Sequence, residues 1–137
     1  MKNIAIITNQ AFSLVNFRGP LIRILSEQGI KVYALAPDFD ASLRTQVVEL
    51  GAEPVGFVLS RASMNPILDV IAVFRLSYLL KRISPEMTLA YFIKPVIYGS
   101  IAAWMARVPK RYSMIEGLGY VFEDGARSQK LHRYLLR

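Results

Sequence analysis

Hydrophobic spacing divides the chain into short apolar runs alternating with stretches of helical period. Asn3 to Thr8 (NIAIIT) is isoleucine-rich and apolar, the pattern of a buried parallel strand. A polar loop follows from Asn9 to Arg18. Phe17 to Gln28 then reads as a helix, with Pro20 in its first turn and Gly29 as its stop. Leu21, Ile22 and Leu25 form its expected buried face, with Ile24 at the margin. Lys31 to Ala36 is a second strand, closed by Pro37. Asp40 is placed to cap a helix running to Leu50, which Gly51 ends.

Glu53 to Leu59 reads as a third strand, and Pro54 and Gly56 put it near a sheet edge. After the polar loop Ser60 to Asn65, Pro66 opens a long helix to Ile83, stopped before Pro85. This helix is apolar almost all round, as core helices of α/β proteins are. Its basic end, with Tyr78, also suits an anionic bilayer surface. Met87 to Phe92 is a fourth strand, Val96 to Ala106 a helix, and Lys110 to Ile115 a fifth strand. A glycine-broken loop and a basic helical stretch complete the chain. Five strands separated by helices predict an α/β doubly wound parallel sheet with right-handed crossovers.

Composition narrows the class. The 137 residues, 53% hydrophobic and 20% charged, fit one folded domain rather than a disordered chain. A mean hydropathy of +0.32 is high for such a domain and hints at a membrane nearby or an unfinished surface. Cysteine is absent, which excludes disulfides and thiolate metal sites. No run reaches the roughly 20 apolar residues of a spanning helix, and no signal-peptide cleavage pattern opens the chain, so a cytoplasmic location is expected. The formal charge of +7 calls for an anionic partner. Nucleic acid has only that charge behind it, with no stacking platform or recognisable motif, so it is not expected as a partner.

Familiar cofactor and metal chemistries lack their residues. Gly117-Leu118-Gly119 follows the last strand and has Phe122 where the dinucleotide fingerprint needs its third glycine. Neither a P-loop nor a G-x-S-x-G elbow occurs, and the one histidine, His132, has no carboxylate cluster with ligand spacing. In a doubly wound sheet, ligands bind beyond the carboxyl ends of the strands. That places attention on Asn9 to Arg18, Ser60 to Asn65, Ile93 to Pro95 and Glu116 to Gly125. Asn16 and Arg18 precede a helix N-terminus, where N–H groups and the dipole favour anions. Lys94 follows a strand directly and is fixed ahead of Pro95; Glu116 holds the equivalent place after the fifth strand.

Four stretches in register, "TNQAFSLVNFRGPLIRILSEQGIKVYALAPD", "LSRASMNP", "FIKPVIYGSIAA" and "IEGLGYVF", resemble the N-terminal domain of family 4 glycosyltransferases. The resemblance spans nearly the whole chain and lies with the capsule, O-antigen and lipid-linked oligosaccharide group. It implies a Rossmann-like domain, the N-terminal half of a two-domain GT-B enzyme that transfers sugar with retention and without a metal cofactor. On that basis Lys94 and Glu116 are the expected catalytic residues. Asn16, Arg18, Gly19, Tyr98, Gly117 and Gly119 are expected to line the acceptor side. Relatives often carry a histidine near the fourth strand's end, where this chain has Tyr91 and Phe92.

The resemblance also implies partners: a glycan acceptor on a polyprenyl carrier, the anionic inner face of the plasma membrane, and a nucleotide-sugar bound by a C-terminal domain. That domain is not within these residues, so residues 1–137 are expected to be a single acceptor-binding domain, inactive alone, awaiting its second half or a partner chain. The competing expectation is a non-catalytic, membrane-associated subunit or remnant of such an enzyme.

Overall fold

The computed structural model describes residues 2–59 and 66–114. Five parallel strands form one sheet: β1 (Asn3–Ile7), β2 (Lys31–Ala36), β3 (Ala52–Gly56), β4 (Met87–Tyr91) and β5 (Lys110–Met114). Their order is β3-β2-β1-β4-β5, so the chain winds outward from β1 in both directions. Helices α1 (Ala11–Asn16), α2 (Gly19–Glu27) and α3 (Ala41–Leu50) cover one face. Helix α4 (Pro66–Ile83) covers the other, with a π-helical turn (Pro95–Gly99) that runs into α5 (Ser100–Met105). The doubly wound α/β architecture expected from the strand–helix alternation is the one observed.

Local chemistry sets the element ends. The Asp40 carboxylate accepts from Leu43 N at 2.7 Å, and Gly51 closes α3 in the left-handed region at φ 100°. An added Cβ on Gly51 would collide with Ser26 Oγ, so both conformation and space demand glycine. Strand β3 lies at one end of the described sheet, as Pro54 and Gly56 predict. Gly99 lets the π-helical turn approach the sheet closely, since a Cβ there would reach Ile7 Cδ1 at 3.4 Å and Ala90 Cβ at 3.5 Å.

Two expectations need correction. The segment Asn9 to Arg18 is not simply a polar loop, because Ala11–Asn16 forms α1. Gln10 provides no side-chain cap; instead the Asp38 carboxylate, 27 residues away, accepts from Ala11 N at 2.7 Å. The following helix consequently starts at Gly19, not Phe17, and Ile24 on it is exposed. Helix α4 is also no all-round core helix. Ala72, Val73, Leu76 and Leu80 are buried against the sheet, while Val70, Ile71, Phe74 and Tyr78 face outward.

Candidate functional site

The strand order reverses between β1 and β4, so their carboxyl ends bound the crevice where open α/β sheets bind ligands. Two side-chain clusters flank it.

The first surrounds Tyr91, the last residue of β4. Its side chain is fully buried, and its Oη lies 3.1 Å from Ser13 Oγ, itself 3.1 Å from Thr8 Oγ1. Ser13 also donates to Gln10 O at 2.6 Å in the first turn of α1, so its contact with Thr8 ties that helix to the end of β1. The Arg18 guanidinium stacks 4.7 Å from the Tyr91 ring centroid, and its Nη2 reaches Met114 Sδ at 3.0 Å at the end of β5. Arg18, the N-cap of α2, thus spans the sheet's carboxyl edge from β4 to β5. Nearby, Asn9 Oδ1 is buried without a hydrogen-bond partner.

Burial holds the Tyr91 phenol above its ordinary range, an effect that the Ser13 and Thr8 hydrogen bonds and the Arg18 charge partly offset. The consequence for stability has a definite sign. Below about pH 10 the phenol is neutral in both folded and unfolded chains. Above that, the unfolded phenol ionises first, so stability falls by at most about 1.4 kcal/mol per pH unit. Denaturant melts from pH 8 to 11 should show that loss. Tyr91→Phe should reduce it while changing stability at pH 8 by only about 1 kcal/mol, because Ser13 keeps Thr8 and Gln10 as partners.

The second cluster lies on the α4 side. Asp69 in the first turn of α4 accepts from Tyr98 Oη at 2.9 Å and pairs with Lys94 Nζ at 3.6 Å. The two charged side chains are only 12% and 18% exposed, so the pair is weakly screened by solvent. The hydrogen bond to Asp69 is the main cause that raises the Tyr98 pKa, keeping its hydroxyl a donor. Between the clusters Phe92 adopts φ 71°, a left-handed conformation unusual for a bulky residue. It turns the chain from β4 into the π-helical turn that carries Lys94 at its start and Tyr98 within it. Such strain persists only where surrounding structure enforces it, and both features concentrate at functional sites.

Of the residues expected from sequence, the structure brings Lys94 and Tyr98 together around Asp69 and sets Arg18 on Tyr91. Asn16 ends α1 rather than standing in a loop, and its Nδ2 donates to Phe12 O at 3.0 Å. Gly19 is buried at the start of α2, where an added Cβ would meet Leu50 at 3.7 Å. Glu116, Gly117 and Gly119 lie outside the described residues, as does the loop Ser60 to Asn65. Sequence reasoning missed Asp69, whose only signal was a lone carboxylate on an otherwise apolar face, and the Thr8–Ser13–Tyr91 hydroxyls. A recess of about 440 Å³ opens at the opposite, amino edge, between Ser84 and Arg107. Both residues follow helix C-termini, and Lys2 and Glu86 also line the recess.

The chain matches no protein-family model. Over 133 residues, 97% of its length, it is 26% identical to the N,N'-diacetylbacillosaminyl-diphospho-undecaprenol alpha-1,3-N-acetylgalactosaminyltransferase of Campylobacter jejuni. It spans 35% of that relative's length. The calicheamicin glycosyltransferase CalG4 superposes with a TM-score of 0.61 at 14% identity, over 99% of this chain and 42% of that one. MurG of Acinetobacter baumannii gives 0.60 at 15% identity, over 82% and 34%. The fold is that of a GT-B glycosyltransferase's N-terminal domain. Architecture alone does not select sugar transfer, because the hydratase GalB of Pseudomonas putida reaches 0.59 at 17% identity, over 77% of this chain and 55% of that one. The similarity in sequence is to a transferase.

Proposed function

We propose that this domain is the acceptor-binding part of a retaining glycosyltransferase that extends a glycan carried on a polyprenyl diphosphate, in the synthesis of surface polysaccharide. The observation that carries this reading is the similarity, over 97% of the chain, to a transferase whose named substrate is a diphospho-undecaprenol saccharide. Lys94 follows β4 directly and Arg18 spans the carboxyl ends of β4 and β5, so a diphosphate bound along that edge would meet two cations. Tyr98, held protonated on Asp69, is a hydroxyl partner for the acceptor saccharide. Glu116, Gly117 and Gly119 complete the acceptor side in this reading. In this reading the nucleotide-sugar donor binds a separate C-terminal domain, and no cofactor is required. The enzyme works as a peripheral protein on the cytoplasmic face of the membrane.

The whole transferase, supplied with radiolabelled nucleotide-sugars, should label a polyprenyl-diphosphate saccharide and leave the same saccharide without its lipid diphosphate unlabelled. Equal labelling of both would overturn the lipid-linked acceptor. Products with inverted anomeric configuration would overturn retention.

A further inference from the structure

The recess at the amino edge plays no part in the acceptor reading, and four chain segments converge on it. Lys2 comes from the start of β1, Ser84 from the end of α4, Glu86 from the start of β4 and Arg107 from the end of α5. Lys2, Ser84 and Arg107 are exposed and Glu86 is half-buried, while Leu80 and Val108 are buried and close the apolar part. The volume of about 440 Å³ falls within the range of small-molecule sites.

Backbone conformation singles out two of these residues. Ser84 and Arg107 adopt φ 53° and 60°, in the left-handed region. Glycine is the usual residue where a helix ends that way, because a Cβ is penalised there. The chain follows that rule on the other face of the sheet, where Gly29 at φ 83° ends α2 and Gly51 at φ 100° ends α3. It departs from the rule after α4 and α5, at the two turns that line the recess. Side chains held against a backbone penalty concentrate at ligand-binding sites.

The side chains define what would fit. Arg107 presents a planar fork of donors and Lys2 a compact ammonium, a pair suited to the oxygens of a phosphate. Glu86 repels that anion, so it belongs with a neutral part of the ligand, where a carboxylate accepts from hydroxyl groups. Ser84 both donates and accepts. A bare phosphate would leave most of the volume and the Glu86 carboxylate unused.

We infer that the amino-edge recess binds a small phosphorylated polyol, of the size and chemistry of a sugar phosphate. The site is separate from the crevice, since strands of five residues set the two edges about 16 Å apart. It stands independently of the sugar-transfer reading, because none of its residues belongs to the Lys94 or Tyr91 clusters.

Isothermal titration calorimetry of the whole protein with glucose 6-phosphate, inorganic phosphate and glucose tests this. Glucose 6-phosphate should bind about tenfold more tightly than inorganic phosphate, and glucose should give no measurable heat. Arg107→Gly and Lys2→Ala should each weaken glucose 6-phosphate by about tenfold or more. Arg107→Gly also relieves a left-handed side chain, so its Tm should hold or rise, which separates lost binding from lost fold. Lys2→Ala gives the same test at an exposed position away from that turn. Glu86→Ala should tighten inorganic phosphate and narrow the preference for the sugar phosphate.

No binding of glucose 6-phosphate, or binding that neither Arg107→Gly nor Lys2→Ala weakens, would overturn the proposal. Equal affinity for inorganic phosphate and glucose 6-phosphate would mark an adventitious ion only. Binding lost in Lys94→Gln but kept in Arg107→Gly would move the ligand to the crevice and equally sink the assignment.

Discussion

Replacing Lys94 by alanine in the whole transferase is expected to lower kcat/KM for the lipid-linked acceptor roughly 100-fold, with little change in KM for the nucleotide-sugar. A single preorganised cation or donor at a developing or bound anion is worth a factor of this size. The cause lies in the local build. Phe92 in its left-handed turn aims the following residues off the strand, and Asp69 holds the ammonium at the crevice. Stability should fall by about 3 kcal/mol, because the pair is largely buried and its loss leaves the Asp69 carboxylate with the Tyr98 hydroxyl but without its cation. Asp69→Asn keeps an acceptor for Tyr98 but removes the charge that positions Lys94, and should cost roughly tenfold in the same parameter. Steady-state kinetics with each substrate varied in turn separates these effects. Unchanged acceptor kinetics in Lys94→Ala would assign the residue to structure.

Much of this architecture was legible because its signals are local. An isoleucine-rich run marks β1 and a short apolar run β2, Asp40 and Gly51 bracket α3, and Pro66 and Pro85 bound α4; each acts within a few residues of itself. What escaped depends on distant partners. Helix α1 exists with a cap donated from 27 residues away, so its own stretch, rich in Asn, Gln and Ser, reads as loop. The burial of only one side of α4 follows from which elements cover it, and the composition of that helix is nearly uniform around its axis. For the site, the carboxyl-edge rule drew attention to Arg18 and Lys94 from sequence, and the family resemblance added Tyr98. The same rule says nothing of Asp69, which enters from the first turn of the helix after β3 and meets Lys94 only through the tertiary fold.

Tyr91→Ala is expected to be the most damaging single change in the described core, costing about 3–5 kcal/mol. The ring is fully buried at the end of a strand bonded on both sides, so neither solvent nor a mobile edge can fill the cavity. A loss of that size consumes much of the roughly 5–15 kcal/mol that stabilises a domain, and should lower Tm by roughly 10–20 °C. The damage extends to the crevice, because Arg18 rests on that ring and would lose the surface that fixes its guanidinium. Tyr91→Phe restores both packing and stacking and removes only the hydroxyl. Where Tyr91→Ala melts early, Tyr91→Phe should melt close to the wild type at pH 8 and bind the acceptor as the wild type does. Equal loss of stability in both variants would instead make the Ser13–Thr8 hydroxyl network, rather than the ring, the element that holds the end of β4.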